Sequence, residues 1–165
     1  MIFFVTDAPD RQLISKTDGH VIVTQCPPTH NRRALCCKMA AELDAYLRSD
    51  KSWFCHFDDD NYVNVPKLMQ TLSKFDSKRD FYLGKTSTNR PIDLLYKENG
   101  ITEKISFRFA TGGAGFCLSR SLALRMAPLA GYGKLIDIGE KIRLPDDVTV
   151  GFIIGICKFG MDNVT

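Results

Sequence analysis

The chain has 165 residues, 44% of them hydrophobic and 25% charged, and its 22 Lys and Arg against 19 Asp and Glu leave a formal net charge of +3. That length and composition fit one globular domain with a substantial core and exclude a disordered or low-complexity chain. The weak charge, with no cationic run longer than the pair Arg32 and Arg33, excludes a nucleic-acid footprint, and no segment reaches the roughly 18 to 20 apolar residues of a membrane-spanning helix.

The apolar run Ile2 to Thr6 predicts a β-strand at the very start of the chain. No cap or turn precedes it, the flanks of a signal peptide are missing, and CKFGMDNVT at the far end carries no terminating element. The chain is therefore expected to be a fragment, truncated at both ends. DAPDRQ reads as a turn, and His20 to Gln25 as a second, β-branched strand. In Ala34 to Asp50, Leu35, Met39, Leu43, Tyr46 and Leu47 recur at helical spacing and predict an amphipathic helix. SWFCHF is the next strand and ends abruptly in Asp58, Asp59 and Asp60.

Val65 to Phe75 predicts a helix with Pro66 in its first turn and an apolar face of Leu68, Leu72 and Phe75. DFYLGK is a strand, and Asn99-Gly100 in the polar stretch beyond it signals a hairpin. After FATGGAGFCLS, RSLALRMAPLA reads as helical until Pro128, and LPDDVTVGFIIGICK predicts a last helix with Asp146 or Asp147 at its cap. This alternation implies an α/β fold, a mixed sheet with helices on its faces, in which ligands bind beyond the carboxyl ends of strands.

Three stretches carry possible chemistry. In an extended DDD, Asp58 and Asp60 would share one side and Asp59 face the other. Three adjacent carboxylates repel one another. A hard divalent cation such as Mg²⁺ or Mn²⁺ would relieve that repulsion and bridge them to phosphates, whereas without one they form a solvated acidic turn. Gly112, Gly113 and Gly115 permit close backbone approach to a ligand, or simply a tight bend between strands. In RLPDDVT a carboxylate at a helix start either caps the helix or takes a proton as a general base. His30 and His56 have no histidine partner one helical turn away and read as hydrogen-bonded or surface groups.

Six cysteines, Cys26, Cys36, Cys37, Cys55, Cys117 and Cys157, are many for a protein of this size in a reducing compartment, and no C-x-x-C pair suggests zinc. Disulfides are the expected state. Asn163-Val164-Thr165 is an N-x-T acceptor that agrees with a secretory setting.

WFCHFDDDNYVN, FATGGAGFC and RLPDDVT, in that order and at comparable separations, closely resemble the Fringe glycosyltransferases, the β1,3-N-acetylglucosaminyltransferases that extend O-linked fucose on Notch EGF repeats. The resemblance runs over nearly all the chain, from FFVTDAPD through ALCCKMA, KTSTNRPI and EKIRL to the PDD helix. It implies a GT-A fold, a mixed sheet that holds a nucleotide-sugar at its strand ends. It implies Asp60 as ligand to a metal, Mn²⁺, Asp59 in contact with the UDP-GlcNAc donor, and Asp58 in support of that site. Asp147 would be the catalytic base, with Asp146 in reserve, and O-fucosylated EGF repeats of Notch-type proteins would be the acceptor.

The resemblance further implies the disulfides Cys26–Cys37 and Cys55–Cys117, leaving Cys36 and Cys157 without family partners. It implies the Golgi lumen as the location, as a type II membrane protein or a form secreted after processing. The membrane anchor, an early nucleotide-contacting strand and a histidine metal ligand of the family fall outside this stretch, which has no histidine after Asp147. Two readings stand beside the Fringe one. A β1,3-galactosyltransferase of core-1 type would keep the chemistry and change the sugars, and a secreted binding module would keep the fold without turnover.

Overall fold

The computed structural model describes residues 1–98 and 100–162. Its strands are short and form three separate ladders rather than one mixed sheet. β1 (Phe4–Thr6) pairs in parallel with β2 (Val21–Val23). β3 (Trp53–His56), β7 (Phe116–Ser119) and β4 (Tyr82–Gly84) form an antiparallel sheet with β7 in the centre, and β5 (Ile92–Glu98) pairs with β6 (Ile101–Phe107) as an antiparallel hairpin. Parallel and antiparallel pairing are both present, as expected, but in different ladders. Gly100 takes a positive φ of 82° at the predicted hairpin turn, while Asn99 lies outside the described residues, as does the acceptor sequence at Asn163.

The described residues also form six α-helices, of which α2, α4 and α6 pack on the strands. α2 (Arg32–Leu47) starts at Asn31, whose side chain accepts from Ala34 N–H, and buries Ala34, Cys36, Met39, Ala40, Leu43 and Tyr46. α6 (Asp146–Asp162) has Val148, Val150, Phe152, Ile153 and Ile154 buried at successive angles around its axis. A helix apolar all round belongs inside the protein. Phe152 sits edge-on to both Tyr96 of β5 and Phe107 of β6, which lays the hairpin across this helix. No helix among the described residues is long and apolar enough to cross a membrane.

Two helices were not anticipated. α1 (Arg11–Lys16) grows out of the predicted DAPDRQ turn, because the Asp10 carboxylate accepts from the N–H groups of Gln12 and Leu13 and caps a helix instead of closing a turn. α5 (Lys134–Ile142) follows Gly133, whose φ of 79° opens the helix, and the Asp44 carboxylate of α2 accepts from Tyr132 and Gly133 N–H at 2.6 and 2.9 Å. α3 (Val65–Leu72) is as predicted but one turn shorter. α4 (Arg120–Ala130) does not stop at Pro128, because the carbonyl that the proline leaves unpaired belongs to the exposed Leu124 and the last turn is closed by Gly131 N–H on Ala127.

Cys26 is bonded to Cys37 and Cys55 to Cys117, the two pairs that the resemblance implies, and Cys36 and Cys157 are free thiols. Burial pushes the Cys36 thiol up to about 11. Only the thiolate reacts readily, so Cys36 is inert in the folded protein. Denatured without reductant, the chain is expected to label at two thiols, and at six after reduction. Six without reductant would mean that neither bridge forms.

Candidate active site

The register of β3 on β7 brings the first two motifs together. Cys55 stands directly opposite Cys117 and His56 opposite Phe116, so the acidic turn that follows β3 and the glycine turn that precedes β7 leave the sheet at the same end. The Cys55–Cys117 bridge, with Cα atoms 4.1 Å apart, locks that register. Gly115 has φ 76°, and a side chain there would run into the Phe57 ring. Glycine is required at this point of close approach.

The aspartates are not extended. Asn61 N–H donates to the Asp58 carbonyl at 3.1 Å and folds Asp58, Asp59 and Asp60 into a turn, so the alternation predicted for an extended strand does not apply. Asp59 and Asp60 are exposed, and Asp60 accepts from the Asn61 side-chain amide at 3.4 Å. Asp58 turns back toward the protein. One of its oxygens lies 3.2 Å from His56 Nε2, and the other lies 3.8 Å from where a side chain on Gly113 would begin.

The third motif arrives on α6. Asp146 and Asp147 both lie inside its first turn, and neither is the cap residue that the sequence predicted, because Thr149 N–H already bonds to the carbonyl of Pro145. Asp147, Gly151 and Gly155 recur every four residues and share one face of the helix. A Cβ on Gly151 would stand 2.5 Å from Phe109 Cβ, and one on Gly155 would stand 2.8 Å from Phe107 Cβ. The helix therefore lies directly on the chain leading from β6 to the glycine turn, and the next residue on that face, Asp147, meets Gly112. Gly112 N–H donates to Asp147 Oδ2 at 3.0 Å and Val148 N–H to Oδ1 at 2.7 Å.

Gly112 and Gly113 thus have Asp147 against one and Asp58 against the other. The two carboxylates of PDD differ in setting. Burial, and then the adjacent charge of Asp147, push the Asp146 carboxyl above the ordinary range, while Asp147 holds two backbone N–H donors. Sequence reasoning missed Glu42 and passed over His56 as a hydrogen-bonded or surface group. His56 Nδ1 lies 2.8 Å from Glu42 Oε2 of α2, and the ring is tilted against Phe116 at 5.4 Å. Burial works to lower the His56 pKa, but the hydrogen bond and charge of Glu42, then the charges of Asp58 and Asp146, outweigh it and the net shift is upward. The available signal was Glu42 itself, a carboxylate one turn from the buried Met39 and next to Leu43.

Fold and site together define a disulfide-braced α/β domain whose carboxylates from a strand end and a helix start meet across a glycine turn. The Fringe-like family model matches residues 1–162, and the chain belongs to that family. It is 58% identical over 154 residues to the Fringe glycosyltransferase of Drosophila melanogaster, an alignment that covers 92% of this chain and 37% of that protein. It is 52% identical over 153 residues to the β1,3-N-acetylglucosaminyltransferase lunatic fringe of Xenopus laevis, covering 92% of this chain and 40% of the relative. Against the human β1,3-N-acetylglucosaminyltransferase manic fringe it is 50% identical over 159 residues, covering 96% and 49%. The chain spans less than half the length of these relatives.

Proposed function

We propose that the chain forms part of a metal-dependent, inverting glycosyltransferase of GT-A type that moves N-acetylglucosamine from UDP-GlcNAc, in β1,3 linkage, to O-linked fucose on EGF repeats of Notch-type proteins. The observation that carries this reading is the placement of Asp147 and Asp58 against the adjacent glycines Gly112 and Gly113. The names of the relatives, β1,3-N-acetylglucosaminyltransferases, support the donor sugar and the linkage. The two disulfides favour the oxidising Golgi lumen over the cytosol.

In this reading Asp147 takes the proton of the fucose 3-hydroxyl as that oxygen forms its bond to the sugar C1. The bond from C1 to the UDP phosphate breaks on the opposite face, so the configuration inverts and the negative charge passes to the diphosphate. The two N–H groups on Asp147 hold its carboxylate aimed beside Gly112. Asp60 presents hard oxygen donors on an exposed turn and would hold Mn²⁺, a metal suited to one or two protein carboxylates, while the exposed Asp59 beside it would contact the UDP-sugar. Among the described residues no group of three or more His, Cys, Asp or Glu side chains is placed to hold a metal ion. When bound, Mn²⁺ would neutralise charge on the leaving diphosphate.

The test of the metal assignment is Asp60→Ala in the full-length protein, with UDP-GlcNAc binding followed by calorimetry with and without Mn²⁺. The Mn²⁺-dependent part of the affinity is expected to fall by at least about tenfold, without loss of thermal stability, because the side chain is exposed. Unchanged Mn²⁺-dependent affinity would place the metal elsewhere. Transfer from UDP-galactose in place of UDP-GlcNAc would favour the core-1-type reaction, and donor binding without transfer to any acceptor would favour a binding module.

A further inference from the structure

We propose that Glu42 and His56 are positioning residues for Asp58: the pair holds the Asp58 carboxylate against the glycine turn, in the orientation with which the acidic turn receives the donor diphosphate. This rests on the glycosyltransferase reading above. His56 ends β3 just before the acidic turn, with its side chain only 12% exposed, and Glu42 beside it is 16% exposed. One ring nitrogen lies 2.8 Å from a Glu42 oxygen and the other 3.2 Å from an Asp58 oxygen. Ionised carboxylates only accept hydrogen bonds, so both bonds form together only when both ring nitrogens carry protons. The ring thus bridges two carboxylates, Glu42 on α2 and Asp58 in the acidic turn.

Geometry separates this from an ordinary core contact. The Phe116 ring backs the imidazole and Glu42 anchors its far nitrogen to α2, so the ring cannot turn away from Asp58 without losing a charge-assisted bond. Asp58 is 47% exposed, and its turn is closed through its carbonyl, by Asn61 N–H at 3.1 Å and the Asn61 side-chain amide at 3.3 Å, so the bonds of the turn do not hold the carboxylate if the imidazole is removed. A partner one step removed from a ligand-binding carboxylate typically matters by tenfold or more when the carboxylate is oriented through it.

The experiment is calorimetric binding of UDP with saturating Mn²⁺ to the full-length protein, with acceptor KM measured alongside. His56→Ala and Glu42→Ala are each expected to weaken UDP binding about tenfold and to leave acceptor KM within twofold. Glu42→Gln keeps an acceptor for Nδ1–H but removes the charge that raises the His56 pKa against burial, so it is expected to recover only part of that loss. A folded His56→Ala that binds UDP as tightly as the parent overturns the positioning role. Should His56→Ala fail to fold, Glu42→Ala decides, because a folded Glu42→Ala that binds UDP as tightly as the parent also overturns it. A parent protein that binds no UDP with Mn²⁺ overturns the proposed function itself and the positioning role with it, an outcome distinct from binding that is indifferent to Glu42 and His56.

Discussion

Asp147→Asn in the full-length protein is expected to reduce sugar transfer about 10³-fold and to leave UDP binding within a few-fold of the parent. Loss of a general base costs about 10² to 10⁴ in rate, and the substitution keeps volume and shape while removing the capacity to accept a proton. Asparagine retains one acceptor oxygen for the two N–H groups of Gly112 and Val148, so a stability loss of about 1 kcal/mol accompanies it. That loss is too small to unfold the domain and cannot produce a thousandfold effect. Asp146→Asn is the control. Its carboxyl is already pushed toward the neutral form by burial, and neutralising it is expected to cost far less activity. If Asp146→Asn were the crippled variant and Asp147→Asn retained transfer, the base would be Asp146.

Gly151→Ala is expected to destabilise the protein and to slow transfer together, although residue 151 touches neither sugar in the proposed reaction. In an open helix the change would gain about 1 kcal/mol of helix propensity. Here the new methyl would stand 2.5 Å from Phe109 Cβ and 3.0 Å from the Arg108 carbonyl, so α6 and the chain after β6 must separate. Overpacking of this kind costs about 1 to 3 kcal/mol, which outweighs the propensity gain. Because Asp147 lies one turn earlier on the same face, that separation moves its carboxylate away from Gly112. A shift on the order of 1 Å at a reacting group costs about 10²-fold in rate. Thermal melts and transfer assays on one preparation check the coupling, and a variant as stable and active as the parent would show that the contact between α6 and β6 has slack.

The elements with a strong repeating pattern were legible in the sequence. α2 declared itself through Met39, Leu43 and Tyr46, and β3 through an aromatic run ending at the aspartates. α1 was not legible because it buries nothing and its cap, Asp10, is equally a turn residue. α5 was overlooked although Leu135, Ile138 and Ile142 carry helical spacing, since its start lies in a Gly-Tyr-Gly stretch that gives no side-chain cap. The residues that lead into it, Tyr132 and Gly133, are held by Asp44, about ninety residues earlier. Strand pairing failed for the same reason. Each strand can be read locally, but whether β2 neighbours β3 depends on contacts that no short window contains. At the site, the three motifs were visible as separate stretches, whereas the turn at Asp58 and the Glu42–His56 link depend on one backbone bond and one helix–strand contact.

Gly112 and Gly113 have a consequence of their own for how catalysis and stability divide along the chain. A methyl on Gly112 would stand 3.6 Å from Asp147 Cβ, and one on Gly113 would stand 3.8 Å from an Asp58 oxygen, both ordinary van der Waals separations. Unlike Gly115 and Gly151, these two glycines are not demanded by folding. In the proposed reaction they would act as a thin spacer between Asp147 and the acidic turn. An alanine at either position is expected to leave the melting curve unchanged and, in that reaction, to narrow the space for donor and acceptor beside Asp147 and Asp58.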